Sequence, residues 1–312
     1  MGILADQTPN INKQHKHRPN FLVVGAVKSA TTSLYYWLKQ HPQVFMPIEK
    51  EPAYFIHNGY GEWNERYEHW DAYLGLFDDV SDEKAVGESS TDYLYCAESA
   101  PWILEEFGQV KIMMVLRNPV DRAYSLYLMM IREGYERLDT FEKALEAEEA
   151  RYKDPDFKMN NPYFFPDYLY FYSGLYSEQV QRYIDLFGRE RVFPILFDDV
   201  SKHPERTFQE ICQFLEVDPS FVPKFDHLHK KARPYSIPLQ YFFRTRLFQD
   251  KYSRMLIGSQ SRTAIRERLL KWNRTDNVAP MSKDTRTMLT KKYREDILAL
   301  SQIIGRDLSQ WL

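Results

Sequence analysis

Apolar positions fall into short runs separated by polar turns, and their spacing changes from segment to segment. Phe21-Leu22-Val23-Val24 is an unbroken apolar, β-branched run closed by Gly25. That is the pattern of a strand buried on both faces of a parallel sheet. Ile112 to Leu116 and the stretch RVFPILFDD, Arg191 to Asp199, repeat it and predict two further strands. Ala85-Val86 reads as a strand end, with G-E-S-S as the loop after it. Elsewhere the apolar period is helical. Leu34 to Leu38 predicts a helix after a Ser/Thr-rich run, and a second helix starts near Val120. Trp63, Tyr67, Trp70, Tyr73, Leu74 and Phe77 mark a helix with one buried face. Phe208, Ile211, Cys212 and Leu215 mark another. Asp139 is placed to cap a charged helix that follows it. Two basic amphipathic helices, expected to pack on the body, fall within residues 239–273, and a long one runs from about Asp284 to near Gly305.

Strands alternating with helices predict an α/β fold with a central parallel sheet flanked by helices. No repeat and no Gly/Ser-rich linker divides the chain. One domain is therefore expected over residues 19–312, after a polar segment, 1–18, expected to be disordered.

The segment from Phe21 to Leu38 also carries chemistry. A strand, a tight turn and a helix start gather unpaired backbone N–H groups at one point, and the helix dipole adds positive charge there. Lys28 supplies a full charge, and Ser29, Thr31, Thr32 and Ser33 supply hydroxyl donors. The nucleotide-triphosphate loop reads G-x-x-x-x-G-K-[ST]. Here Gly25 is followed by A-V-K-S-A-T-T, with Ala30 in place of the second glycine and Thr31 in place of the lysine. The loop is P-loop-like, with the charge three residues early. Arg117 repeats the logic at the end of the strand over 112–116, where open α/β sheets bind ligands.

The net charge of −3 removes any global field for nucleic acid. Cys96 and Cys212 lack metal spacing and read as buried free thiols. His227 and His229 have no Cys or carboxylate partner at ligand spacing, so no metal is expected. No apolar run approaches the length of a membrane helix. The first residues lack the apolar core of a signal peptide, which points to a cytoplasmic protein.

K-S-A-T-T-S-L after a hydrophobic strand resembles the phosphosulfate loop of sulfotransferases, enzymes that use 3′-phosphoadenosine-5′-phosphosulfate (PAPS). The family pattern K-[ST]-G-T-[ST] has glycine where this chain has Ala30. The resemblance extends from about Pro19 almost to the end, where the tail is similar to bacterial members. It implies that Lys28, Ser29, Ala30, Thr31, Thr32 and Ser33 hold the 5′-phosphosulfate. R-N-P-x-x-R-x-x-S, at Arg117 to Ser125, resembles the 3′-phosphate signature, with Arg117 and Ser125 as ligands and Arg122 as a structural residue. S-G-x-Y-x-x-Q-[LV] is matched by Ser173, Gly174, Tyr176, Gln179 and Val180, and implies Tyr176 near the adenosine. A basic loop implies Lys231 and Arg233 over the 3′-phosphate. Lys50-Glu51 with Tyr54-Phe55 resembles the segment that carries the base in heparan-sulfate-type enzymes, so Glu51 is the implied base, with His57 as its rival. Glu88 and Ser90 fall in a segment near the reaction centre, where Ser89 replaces a lysine of that subgroup. Asp92 and Tyr93 are further pocket candidates.

The implied activity is sulfonate transfer from PAPS to a hydroxyl or amine. High aromatic content and the lack of a large basic surface favour a small-molecule acceptor. A glycan sulfotransferase, a P-loop kinase-like enzyme and a non-catalytic nucleotide-binding module are the alternatives.

Overall fold

The computed structural model describes residues 16–56, 69–160, 164–225, 232–247 and 259–312. Five parallel strands form one sheet in the order β2-β3-β1-β4-β5. They are β1 (Phe21–Gly25), β2 (Val44–Phe45), β3 (Ala85–Ser89), β4 (Lys111–Leu116) and β5 (Val192–Leu196). β1 takes the central place because every one of its side chains tolerates full burial. The helices are α1 (Thr31–Lys39), α2 (Trp70–Leu74), α3 (Ser99–Phe107), α4 (Pro119–Glu133), α5 (Phe141–Lys153) and α6 (Pro155–Asn160). They continue as α7 (Tyr176–Phe187), α8 (Phe197–Lys202), α9 (Pro204–Leu215), α10 (Ile237–Tyr241), α11 (Ser259–Trp272) and α12 (Lys283–Ile304).

Strand alternation sorts the core into two layers. Leu22, Val24, Ile112, Met114 and Leu116 face α3, α4, α7 and α12. Phe21, Val23, Met113 and Val115 face α1 and α9, where Phe208, Ile211, Cys212 and Leu215 form the expected stripe. Gly87 on β3 sits against the ring of its partner Phe21 on β1. A Cβ there would stand 2.4 Å from the Phe21 ring.

The α/β fold with a parallel sheet is as the sequence predicts, and both cysteines are buried free thiols. Several local expectations are corrected. β3 does not end at Val86 but continues through Gly87, Glu88 and Ser89, because its ladder to β1 continues. The strand expected over Arg191 to Asp199 stops at Leu196, and the residues after it form α8. Thr140, not Asp139, caps α5 by accepting from the Lys143 N–H; the Asp139 carboxylate instead takes the Lys143 ammonium at 2.8 Å. On α11, Arg262, Arg266, Leu269 and Leu270 are half-buried along one face, while most of the first of the two expected basic helices lies outside the described residues. Of the aromatic helix expected around Trp63 to Phe77, residues 57–68 lie outside the described residues; α2 and a 3₁₀ turn, Gly75–Phe77, make up the rest. The expected disordered segment falls outside them up to residue 15, while Arg18 lies over the Trp70 ring at 5.8 Å. Among the described residues no helix is long and apolar enough to cross a membrane.

Candidate active site

A cavity of about 440 Å³ opens at the C-terminal ends of the central strands. One wall is the loop between β1 and α1. Gly25 closes the strand because a side chain there would meet Leu94 Cβ at 2.6 Å. Lys28 and Ala30 then adopt left-handed backbone, with φ 66° and 71°, and turn the chain into α1. Ala30 is the N-cap and offers no side-chain acceptor. The first-turn N–H groups therefore have no capping group of the chain's own. Lys28, Ala30, Thr31, Thr32 and Ser33 line the cavity; Ser29 is fully buried behind it.

Arg117 leaves the end of β4 and faces the same space. Its guanidinium donates to the Lys28 carbonyl at 3.0 Å and stacks on Phe197 at 4.5 Å. The two anion-binding segments are thereby tied together. On α4, Ser125, Met129 and Arg132 all line the cavity, at spacings of four and seven residues along one helix face. Burial, with repulsion from Arg132 and Arg117, brings the Lys28 ammonium down to about 8.

Glu51 stands on the opposite wall in a second left-handed turn, φ 63°. Its N–H donates to the Ser89 carbonyl at 3.1 Å. Its carboxylate pairs with Lys50 and accepts from the Thr91 hydroxyl at 3.3 Å. Glu88 and Ser90 lie behind this turn and do not line the cavity. Ser90 Oγ donates to Glu88 Oε2 at 2.8 Å and accepts from the Ala53 N–H at 3.0 Å, so the pair braces the turn that carries Glu51. Burial pushes the Glu88 carboxyl up to about 7.

Tyr176 is also behind the wall. It is fully buried, with its hydroxyl beside Ser29 and Arg117. Arg233 forms a short antiparallel ribbon with Thr275 next to α4 and does not reach the cavity wall. His57 and Lys231 lie outside the described residues. Asp92, a weaker candidate from sequence, lines the cavity, as do Thr91, Arg132, Asp167 and Phe197, which sequence reasoning missed. Arg132 carried a signal, its helical register with Ser125. Asp167 carried none, because it sits in a 3₁₀ turn, Phe165–Tyr168, without period.

A Sulfotransferase domain matches residues 18–234. The chain belongs to the sulfotransferase family. A crystal structure of a sulfotransferase from Alicyclobacillus acidocaldarius is 31% identical to it, covers 95% of this chain and 99% of its own, and superposes with a TM-score of 0.71. Membrane-associated sulfotransferase kil1 of Dictyostelium discoideum is 24% identical over 70% of this chain and 62% of its own length. Mouse bifunctional heparan sulfate N-deacetylase/N-sulfotransferase 4 is 24% identical over 98% of this chain. This sulfotransferase spans 34% of that relative's length.

Proposed function

We propose that this sulfotransferase moves a sulfonate from PAPS to a hydroxyl or amine of a small-molecule acceptor by in-line displacement. The observation that carries the reading is the uncapped N-terminus of α1, ringed by Lys28 and Arg117, with Glu51 on the facing wall. Open N–H groups, the hydroxyls of Thr31, Thr32, Ser33 and Ser125, and three cations (Lys28, Arg117 and Arg132) are a donor set for phosphate and sulfonate oxygens. PAPS, when bound, supplies an electrophilic sulfonate on a phosphate leaving group.

The chain's own residues divide the remaining work. The α1 N–H groups with Thr31, Thr32 and Ser33 hold the 5′-phosphosulfate. Lys28 stabilises the charge that grows on the leaving phosphate oxygen. Arg117 and Ser125 hold the 3′-phosphate. Glu51 takes the proton of the acceptor as its oxygen or nitrogen bonds to sulfur and the sulfur–oxygen bond to the 5′-phosphate breaks. A glycan acceptor is the second reading, favoured by the likeness to the heparan sulfate relative.

Calorimetric titration with adenosine 3′,5′-bisphosphate tests the reading. Wild type is expected to bind tightly, Arg117→Ala to lose binding, and Lys28→Ala to lose turnover by about 10²–10³. A folded wild-type protein that does not bind this nucleotide would overturn the assignment. Turnover of a desulfated glycan but of no small amine or alcohol would select the second reading.

A further inference from the structure

The cavity is polarised. Lys28, Arg117 and Arg132 supply its positive side, and Glu51, Asp92 and Asp167 bring three carboxylates to the same space. Glu51 has Lys50 and Thr91 as partners. Asp167 has none. Its side chain is in a residue only 4% exposed, it lines both the main cavity and a smaller one behind it, and no hydrogen-bond or ion-pair partner reaches its carboxylate among the described residues. Arg122 is felt electrostatically, but that guanidinium donates to the Tyr170 carbonyl at 2.6 Å. Lys28, also felt, faces the anion site. Asp92 lines the same two cavities.

A carboxylate set so deeply in a cavity wall is completed by water, by a proton or by a donor group of a ligand. The sulfonate donor cannot do so, since it is itself an anion. Among the described residues no three His, Cys, Asp or Glu side chains converge to hold a metal ion. The ligand group that three carboxylates in one cavity favour is a cation, and the acceptor is the reactant that can bring it.

Resting on the function proposed above, we propose that Asp167, with Asp92, forms a subsite for an ammonium group of the acceptor, which is an amino alcohol. An amine held there keeps its proton and has no free lone pair. The acceptor's hydroxyl is then the nucleophile that faces Glu51, and the ammonium passes through the reaction unchanged. Burial and the Glu51 charge push Asp167 up to about 7, and Asp92 is pushed up by burial and by both neighbouring carboxylates. A bound cation opposes these shifts by favouring the ionised carboxylates, so it competes there with the proton.

The test uses protein saturated with adenosine 3′,5′-bisphosphate, titrated with tyramine and with 4-(2-hydroxyethyl)phenol. The probes differ only by ammonium against hydroxyl. Tyramine is expected to bind at least about tenfold tighter, as a charge-assisted hydrogen bond in a buried site implies. Asp167→Asn is expected to bring the two affinities together, an effect that general damage to the fold would not produce. Equal affinities in wild type, or binding of neither probe, would overturn the subsite. The nucleotide titration on the same sample separates the outcomes: failure at that stage would count against the sulfotransferase assignment itself.

Discussion

Lys28 is charged in the unfolded chain up to its ordinary value of 10.5, but in the folded site only up to about 8. A bound phosphate favours the charged form. Affinity for adenosine 3′,5′-bisphosphate is therefore expected to be flat below pH 8. Above it, affinity should fall by up to about tenfold per pH unit, the limit for one proton. Titrations across pH 7 to 9.5 check this, and Lys28→Ala should abolish the dependence. Ala30 offers a second residue-scale test. Left-handed backbone costs a non-glycine residue about 1–2 kcal/mol. Ala30→Gly relieves that cost, partly offset by the greater freedom of glycine when unfolded. The melting free energy should rise by up to about 1 kcal/mol, while Ala30→Val should lower it.

At the scale of elements, α7 has its N-terminus capped from outside. Asp296 on α12 accepts from the Tyr176 and Ser177 N–H groups at 2.8 and 3.0 Å. Asp296→Ala should cost about 1–2 kcal/mol in urea unfolding, with Asp296→Asn costing less. Such a cap is a contact across 120 residues, and no local pattern in the sequence announces it. The elements that were legible are those whose signal is local. β1 and β4 are apolar runs, and α12 ends at Gly305 in left-handed backbone, φ 66°. β3 was cut short because Gly-Glu-Ser has the composition of a loop. Of its polar side chains, Glu88 is held through Oε2 by the Ser90 hydroxyl, which itself accepts from the Ala53 N–H, a pairing that only the folded arrangement provides. β2, at two residues, is too short to have a period. The site divides the same way. The loop residues and Arg117 follow strands, whereas Asp167 reaches the cavity from an irregular turn within an aromatic run.

For the whole molecule, the buried carboxyls set the pH of greatest stability. Glu88, Glu148 and Asp167 are all raised to about 7, mainly by burial. Between about pH 4.5 and 7 the folded protein keeps protons that the unfolded chain releases, so stability falls as pH rises through this window. Glu136 works the other way. Its partner Arg151 helps hold it below its ordinary value, and its contribution is lost as pH falls below that value. Melting temperature without ligand should thus be higher near pH 5.5 than near pH 7.5. Glu148→Gln should flatten the slope.

The uncapped start of α1 has a practical consequence for handling the protein. Any small tetrahedral oxyanion can finish that helix end, and inorganic sulfate and phosphate are the simplest. Either salt should act at once as a preservative and as a competitive inhibitor. At equal ionic strength, melting in sulfate should exceed melting in chloride. Protein stored in such a buffer would look its most robust while showing its lowest activity.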